Sequence, residues 1–391
     1  MAPLKFLPFL FASLFCFVSS KDPTHFNPHY NSNAGIRAAY FPSYSSFSPS
    51  SIDTSLFTHI YYAFLLPNPT TYELTITKND QQKLQELTNT LHTLKPSMKT
   101  LLSIGGGGSD SLVFSKMASK MSTRKVFIKS TIDVARKYGF DGVDLDWEFP
   151  ENDLDMYNLG LLFQEWRKEF VHEAKLSKKH VLLLTAAVYY ANNISLLGDS
   201  PRAYPGGMIA KYVDWVSPMC FDYHGSWANF TGIHSALYDP KSDISTDYGI
   251  NSWIVQAGVP PTKLVMGLPM YGRTWTLKDP TLNGLGAPAT GSGPGQDGAI
   301  IYSKIMDFNT QKNATIKFDP QSVAYYSYSG NAWIGYDDVH SIWAKVKFAK
   351  SKGLAGYFFW ALGQDKNWAL STSVWDNSTK KHIKICYILI C

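Results

Sequence analysis

Three acids, Asp144, Asp146 and Glu148, fall at every second position, and the apolar Val143, Leu145, Trp147 and Phe149 alternate with them. Period-two alternation is the pattern of a strand, whose successive side chains point to opposite faces. The carboxylates therefore share one face and the apolar residues the other. Neighbouring like charges repel, and a solvated surface has no use for them, so the pattern fits an enclosed polar interior backed by a packed layer. Residues two apart on a strand are separated by about 6.6 Å, which lets Asp146 and Glu148 interact. Like charge and partial desolvation then raise the pKa of at least one of them. A Glu that keeps its proton near neutral pH is a general acid for a leaving oxygen, and paired carboxylates among aromatics are the equipment of glycoside cleavage.

The rest of the chain must position this strand. Short apolar runs at 36–41, 59–66, 100–104, 181–188, 213–221, 264–271 and 354–360 read as seven further strands. Helical spacing lies between several of them. Residues 82–94 carry Leu84, Leu87, Leu91 and Leu94. A helix capped by Ser122 has Val126, Ile128, Ile132 and Ala135 inward and ends at Gly139. Residues 153–176 place Leu159, Leu162, Phe163, Trp166 and Phe170 on one face. Strands alternating with helices imply parallel pairing through crossover helices, and eight of them imply an α/β fold, a closed (β/α)₈ TIM barrel. The gap between the seventh strand and the eighth is too long for a structureless loop. Residues 273–337 are read as a small α+β insertion domain that walls one side of a cleft.

In such a barrel the chemistry sits where the strands end. The strand-end residues are Tyr40, Phe64, Ser103, the three acids, Met219, Phe221, Asp222, Tyr271, Arg273 and Trp360: an acidic centre ringed by aromatics. They hold no His/Cys cluster for a metal, and Gly105–Gly108 does not continue into a phosphate-binding loop. No metal or cofactor is expected. The glycine run is read as a tight turn that lets backbone pass close to the acids. Trp227 and Trp333 are candidates for lining the outer cleft.

The 391 residues carry a formal charge of +5 with no basic block, which gives a nucleic-acid partner no footing. Residues 1–20, with Lys5 as the only charge before an apolar run, read as a secretory signal peptide, and its removal takes the charge from +5 to +4. The mature chain, 21–381 for the barrel, is expected to be a monomer with no membrane anchor, released to the extracellular space or the vacuole. The apolar end at 382–391 is too short to cross a bilayer. Cys220, Cys386 and Cys391 remain after the leader, and Cys220 reads as a small buried hydrophobe. Sequons for N-glycosylation stand at Asn193, Asn229, Asn313 and Asn377, while Pro69 spoils the one at Asn68.

The segment Asp141-Gly142-Val143-Asp144-Leu145-Asp146-Trp147-Glu148 matches the D-G-x-D-x-D-x-E signature of glycoside hydrolase family 18, and the whole mature chain resembles plant class V chitinases. A chance match is on the order of 10⁻⁴ at average residue frequencies. Ser103-Ile104-Gly105-Gly106 resembles the family's S-x-G-G, and Met219–Asp222 its M-x-[YF]-D. Met270–Arg273 resembles the entry to its insertion domain, and Trp360 its platform tryptophan.

The resemblance implies a retaining, substrate-assisted hydrolysis of β-1,4 N-acetylglucosamine linkages in chitin or chitooligosaccharides. Glu148 is then the acid, Asp146 the partner of the substrate's acetamido group and Asp144 the sharer of its proton. Tyr40, Phe64, Met219, Phe221, Asp222, Tyr271, Arg273 and Trp360 are the expected substrate-binding residues. Two positions depart from the family pattern: Phe221 stands where Tyr is usual, and Phe41 where Trp is common. Tyr223, two residues on, is a candidate to replace the missing hydroxyl. A chitinase-like lectin that binds the oligomer without cutting it is the other reading.

Overall fold

In the computed structural model eight strands run parallel: β1 (Ile36–Pro42), β2 (His59–Pro67), β3 (Lys99–Gly105), β4 (Gly142–Asp146), β5 (Leu183–Tyr189), β6 (Trp215–Met219), β7 (Val265–Pro269) and β8 (Gly356–Trp360). The structure describes residues 35–196 and 200–374. The expected leader, the apolar tail, Cys386, Cys391 and the Asn377 sequon lie outside these residues. The strands pair in the order β7-β8-β1-β2-β3-β4-β5-β6, and a parallel bridge from Val216 to Leu264 joins β6 to the start of β7. The sheet thus all but closes into the expected (β/α)₈ barrel.

Alternation sorts the side chains into two cores. Ala38 and Tyr40 of β1, Tyr61 of β2, Leu101 of β3, Trp215 of β6, Val265 of β7 and Phe358 of β8 fill the barrel interior. Their neighbours one residue along, such as Ala39, Phe41, Leu102 and Val143, face the surrounding helices. Phe41 therefore serves the outer layer rather than the cleft. The helix Asp153–Ser177 buries Leu159, Leu162, Phe163, Trp166 and Phe170 as its spacing required.

Two helix starts differ from the sequence reading. The first helix begins at Lys78 because Thr77 and Asp80 form a reciprocal capping box. The helix Met121–Tyr138 starts after Lys120, with Ser122 inside it and Val126 exposed, while Phe127 and Val134 take the inward face. Its stop is as expected: Gly139 adopts φ 75°, a conformation glycine takes without strain.

The insertion is an antiparallel sheet ordered Ala289–Ser292, Tyr271–Leu277, Ala332–Tyr336, Ala324–Ser329, Thr315–Asp319, with the helix Tyr302–Gln311 beside it. It begins at Tyr271, directly off the end of β7. Trp333 is fully buried between Trp275 and Tyr326, at ring separations of 5.3 and 5.2 Å, so it belongs to the insertion's own core and not to the cleft.

A buried polar knot ties this wall to the barrel. Lys345, on the helix Val339–Ser351, donates to both Asp337 oxygens at 2.6 and 2.7 Å and to the Ser235 carbonyl at 2.5 Å. Ser235 and Ser341 hydroxyls donate to the same carboxylate. Removing one charge from a buried pair strands the other. Lys345→Met should therefore cost about 3–5 kcal/mol in a denaturant titration. Adding Asp337→Leu should recover part of that loss, and a neutral single variant would contradict the knot's role.

Candidate active site

The acid-bearing strand is placed by its neighbours. Gly105 ends β3 at φ 117°, and a Cβ there would stand 2.0 Å from the Asp146 carbonyl; Gly106 instead donates its N–H to that carbonyl at 2.8 Å. A Cβ on Gly106 would run into the Phe64 ring at 2.4 Å. The glycine turn is thus the condition for close approach, as expected. Behind the strand, the indole N–H of Trp147 donates to Ser111 Oγ at 2.8 Å, and Ser111 donates to the Phe149 carbonyl at 2.6 Å. Ser111 opens the short helix Ser111–Ala118, capped by Asp110. That helix pins the residues on both sides of Glu148, which itself lies beyond the end of β4.

Asp144 sits inside the barrel with no exposed surface. Tyr40 from β1, Ser103 from β3 and Thr185 from β5 donate hydroxyl hydrogens to it at 2.9, 2.7 and 2.6 Å. Burial pushes its pKa up, and these hydrogen bonds pull against the rise. Asp146 is also buried, and its Oδ1 has no hydrogen-bond partner among the described residues. Its pKa stands well above the usual range, through burial first and then the charges of Glu148 and Asp144. Burial, with the Asp222 carboxylate adding to it, lifts Glu148 to about 7. The strand thus carries an under-satisfied buried carboxyl and a deeper acid anchored from three strands, and the proton-holding acid follows just beyond its end.

Opposite the acids, burial works to raise Asp222, but the His234 ring and the Arg273 guanidinium outweigh it and hold the carboxyl well below its ordinary range. Arg273 contacts both carboxylate oxygens at 2.7 Å, and His234 Nδ1 lies 3.6 Å away. Trp360 stacks on Phe64 at 5.6 Å and meets Tyr40 at 5.3 Å. The Phe221 ring packs edge-on against Tyr271 and Phe358 at 6.2 and 6.1 Å. Trp227 is 63% exposed and lies over Arg273 at 5.1 Å.

A cleft of about 1040 Å³ opens over these groups. Of the expected residues, Tyr40, Asp146, Glu148, Met219, Phe221, Asp222, Tyr271 and Trp360 line it, and so does Trp227. Asp144, Phe64 and Arg273 stand behind the lining and act through Tyr40, Trp360 and Asp222. Tyr223 reaches the cleft, but its hydroxyl lies 3.0 Å from Thr246 Oγ1. Asp222 has φ 61°, a left-handed turn that breaks the two-residue alternation expected to align Tyr223 with Phe221. Sequence reasoning passed over Thr185, Tyr189, Tyr190 and Tyr248, and named Asn193 only as a sequon. The first three lie on or just after β5, and the strand-end rule applied to that strand would have named the two tyrosines. Among the described residues, no group of three His, Cys, Asp or Glu could hold a metal.

Residues 36–365 match the family model for glycosyl hydrolases family 18. The chain belongs to that family. It is 53% identical over 360 residues to a class V chitinase of Medicago truncatula, covering 92% of this chain and 94% of the relative. The fold superposes on a class V chitinase from tobacco, solved in complex with NAG4, with a TM-score of 0.83 and 40% identity over 87% of this chain and 97% of that one. It also superposes on a chitinase-like agglutinin from Robinia pseudoacacia, with a TM-score of 0.79 and 42% identity over 86% and 98%.

The electrostatics can be checked without substrate. A carbon-13 titration of Glu148 should give a midpoint near 7. Asp222→Asn removes the facing charge, so that midpoint should fall; an unchanged midpoint would leave burial as the only cause.

Proposed function

We propose that the chain is a secreted chitinase. It hydrolyses β-1,4 linkages between N-acetylglucosamine units in chitooligosaccharides, with retention and with the substrate's own acetamido group as nucleophile. The observation that carries this reading is the complete acid set, Asp146 and Glu148 lining the cleft and Asp144 buried behind it, with Glu148 holding its proton to about 7. Chitinases at 53% and 40% identity, one of them solved with a tetrasaccharide, support the substrate class.

Glu148 gives its proton to the glycosidic oxygen, which makes the leaving sugar a neutral alcohol. The acetamido carbonyl oxygen attacks the anomeric carbon and closes an oxazolinium ring. The amide N–H needs an acceptor as positive charge builds, and Asp146 Oδ1 is a buried acceptor without a partner. Such a group costs about 1–3 kcal/mol when left unmade, so satisfying it in the transition state lowers the barrier. Asp144 takes up part of the shared proton through the barrel interior. Trp360, stacked on Phe64, offers an aromatic floor to the C–H face of the reacting sugar. Water, with its proton drawn to Glu148, then opens the ring from the face the leaving group left.

Turnover therefore requires protonated Glu148 and should decline tenfold per unit as pH rises beyond about 7. Glu148→Gln should abolish cleavage of a chitin hexamer and leave its binding measurable; surviving turnover would remove Glu148 from the acid role.

One residue favours the lectin reading. Phe221 has no hydroxyl to steady the attacking acetamido oxygen, and the Tyr223 hydroxyl is paired with Thr246 Oγ1 at 3.0 Å. Losing one such donor costs about 10² or more in rate. Phe221→Tyr should then raise kcat by roughly that order if its hydroxyl reaches the acetamido oxygen. If the wild-type chain binds the hexamer without releasing products, the lectin reading replaces the enzyme.

A further inference from the structure

The sequon Asn193-Ile194-Ser195 falls on the cleft wall, not on a remote surface. Asn193 pairs with Ala203 in a two-residue ladder just beyond β5, and Asn193, Ser195 and Leu196 all line the cleft. The carboxamide of Asn193 makes no side-chain hydrogen bond among the described residues, and the residue is half-buried with its open side toward the cleft. A contiguous aromatic wall leads from the acids to this point. Phe149 follows Glu148, Tyr189 meets Phe149 at 5.4 Å, and Tyr190 meets Tyr189 at 4.7 Å. Ile244 and Tyr248 complete that end of the cleft. The sequon at Asn313 provides the contrast: it is exposed in a turn after the helix Tyr302–Gln311 and outside the cleft lining.

We propose that Asn193 is an N-glycosylation site whose glycan caps the Tyr189–Tyr190 end of the cleft and limits the length of oligosaccharide the protein turns over. The proposal rests on the secretion reading above, because the modification needs the secretory pathway. In the transfer, Asn193 Nδ2 bonds to the anomeric carbon of an oligosaccharide donated from a lipid pyrophosphate. The bond from that carbon to the pyrophosphate oxygen breaks, lipid pyrophosphate leaves, and the amide gives up one proton. The acceptor is modified as an extended segment entering the lumen, so its half-buried state in the folded chain does not hinder transfer. Once attached, a branched, hydrated glycan occupies the volume just outside the aromatic wall. A sugar bound further along that wall must displace it, whereas a short substrate confined to the acids does not meet it.

The test expresses the full chain in plant cells and maps each sequon by glycopeptide mass spectrometry. Asn193 and Asn313 should both be occupied, with the leader absent from the mature N-terminus. The same preparation is then trimmed with an endoglycosidase that leaves one N-acetylglucosamine. Turnover of a chitin hexamer should rise roughly tenfold on trimming, as expected for regaining one sugar-stacking contact. Turnover of a trimer should stay unchanged. A version with Asn229→Gln, Asn313→Gln and Asn377→Gln, which leaves only the Asn193 sequon, should respond to trimming in the same way, which assigns the effect to Asn193.

Occupied Asn313 with bare Asn193 would overturn the proposal and leave secretion standing. An occupied Asn193 with equal hexamer rates before and after trimming would overturn the cap. A retained leader with every sequon bare would overturn the secretion reading and this proposal together.

Discussion

The molecule is organised around the cost of placing carboxyl groups inside a barrel. A buried carboxylate without partners loses several kcal/mol of hydration. Asp144 is tolerated because β1, β3 and β5 each send a hydroxyl to it. Those three donors require three strands in fixed register around β4. The register of β3 in turn requires glycine at 105, since any side chain there would strike the Asp146 backbone. Anchoring the deepest acid leaves the next one, Asp146, with an empty oxygen, and leaves Glu148 at the cleft floor holding a proton. Stability is spent on one acid so that the other two can stay unsettled.

A second arrangement works in the opposite sense across the cleft. Asp222 is kept charged by Arg273 and His234, and its charge helps to keep Glu148 neutral. Two carboxyl groups in one cleft are pushed apart in pKa by what lies behind each, a packed strand end for Glu148 and a guanidinium for Asp222. Such separation is the usual mark of an acid and an anion with distinct tasks. The insertion supplies Arg273, and the Lys345–Asp337 knot fixes the insertion, so a contact remote from the cleft bears on its electrostatics.

Much of this was legible in the sequence because alternation is a local signal. The period-two pattern of 143–149 announced the strand and the enclosed acids, although the strand itself stops at Asp146 and leaves Glu148 just beyond it, and the spacing of the other apolar runs announced the barrel. Wherever the backbone leaves regular strand geometry, alternation no longer says which face a side chain takes. Tyr223 was aligned with Phe221 on the assumption of continued alternation, and the left-handed turn at Asp222 cancels that. Trp333 looked the same in sequence as a cleft aromatic, and only packing against Trp275 and Tyr326 distinguishes it. The supporting helix at 111–118 was missed because its eight residues are too few for a periodic pattern. Tyr189 and Tyr190 were missed for a simpler reason, since the strand-end rule was applied to every strand but β5.

In the proposed mechanism an acetamido group of the substrate, steadied by Asp146, does the work a protein nucleophile does elsewhere. That route makes two displacements at the anomeric carbon, first of the leaving sugar by the acetamido oxygen and then of that oxygen by water, so it returns the original configuration. Proton NMR of a chitin hexamer digest, recorded before the anomers equilibrate, tests this directly. The first product signal should be that of the β-anomer. An initial α-anomer would mean single displacement by water and would contradict that mechanism.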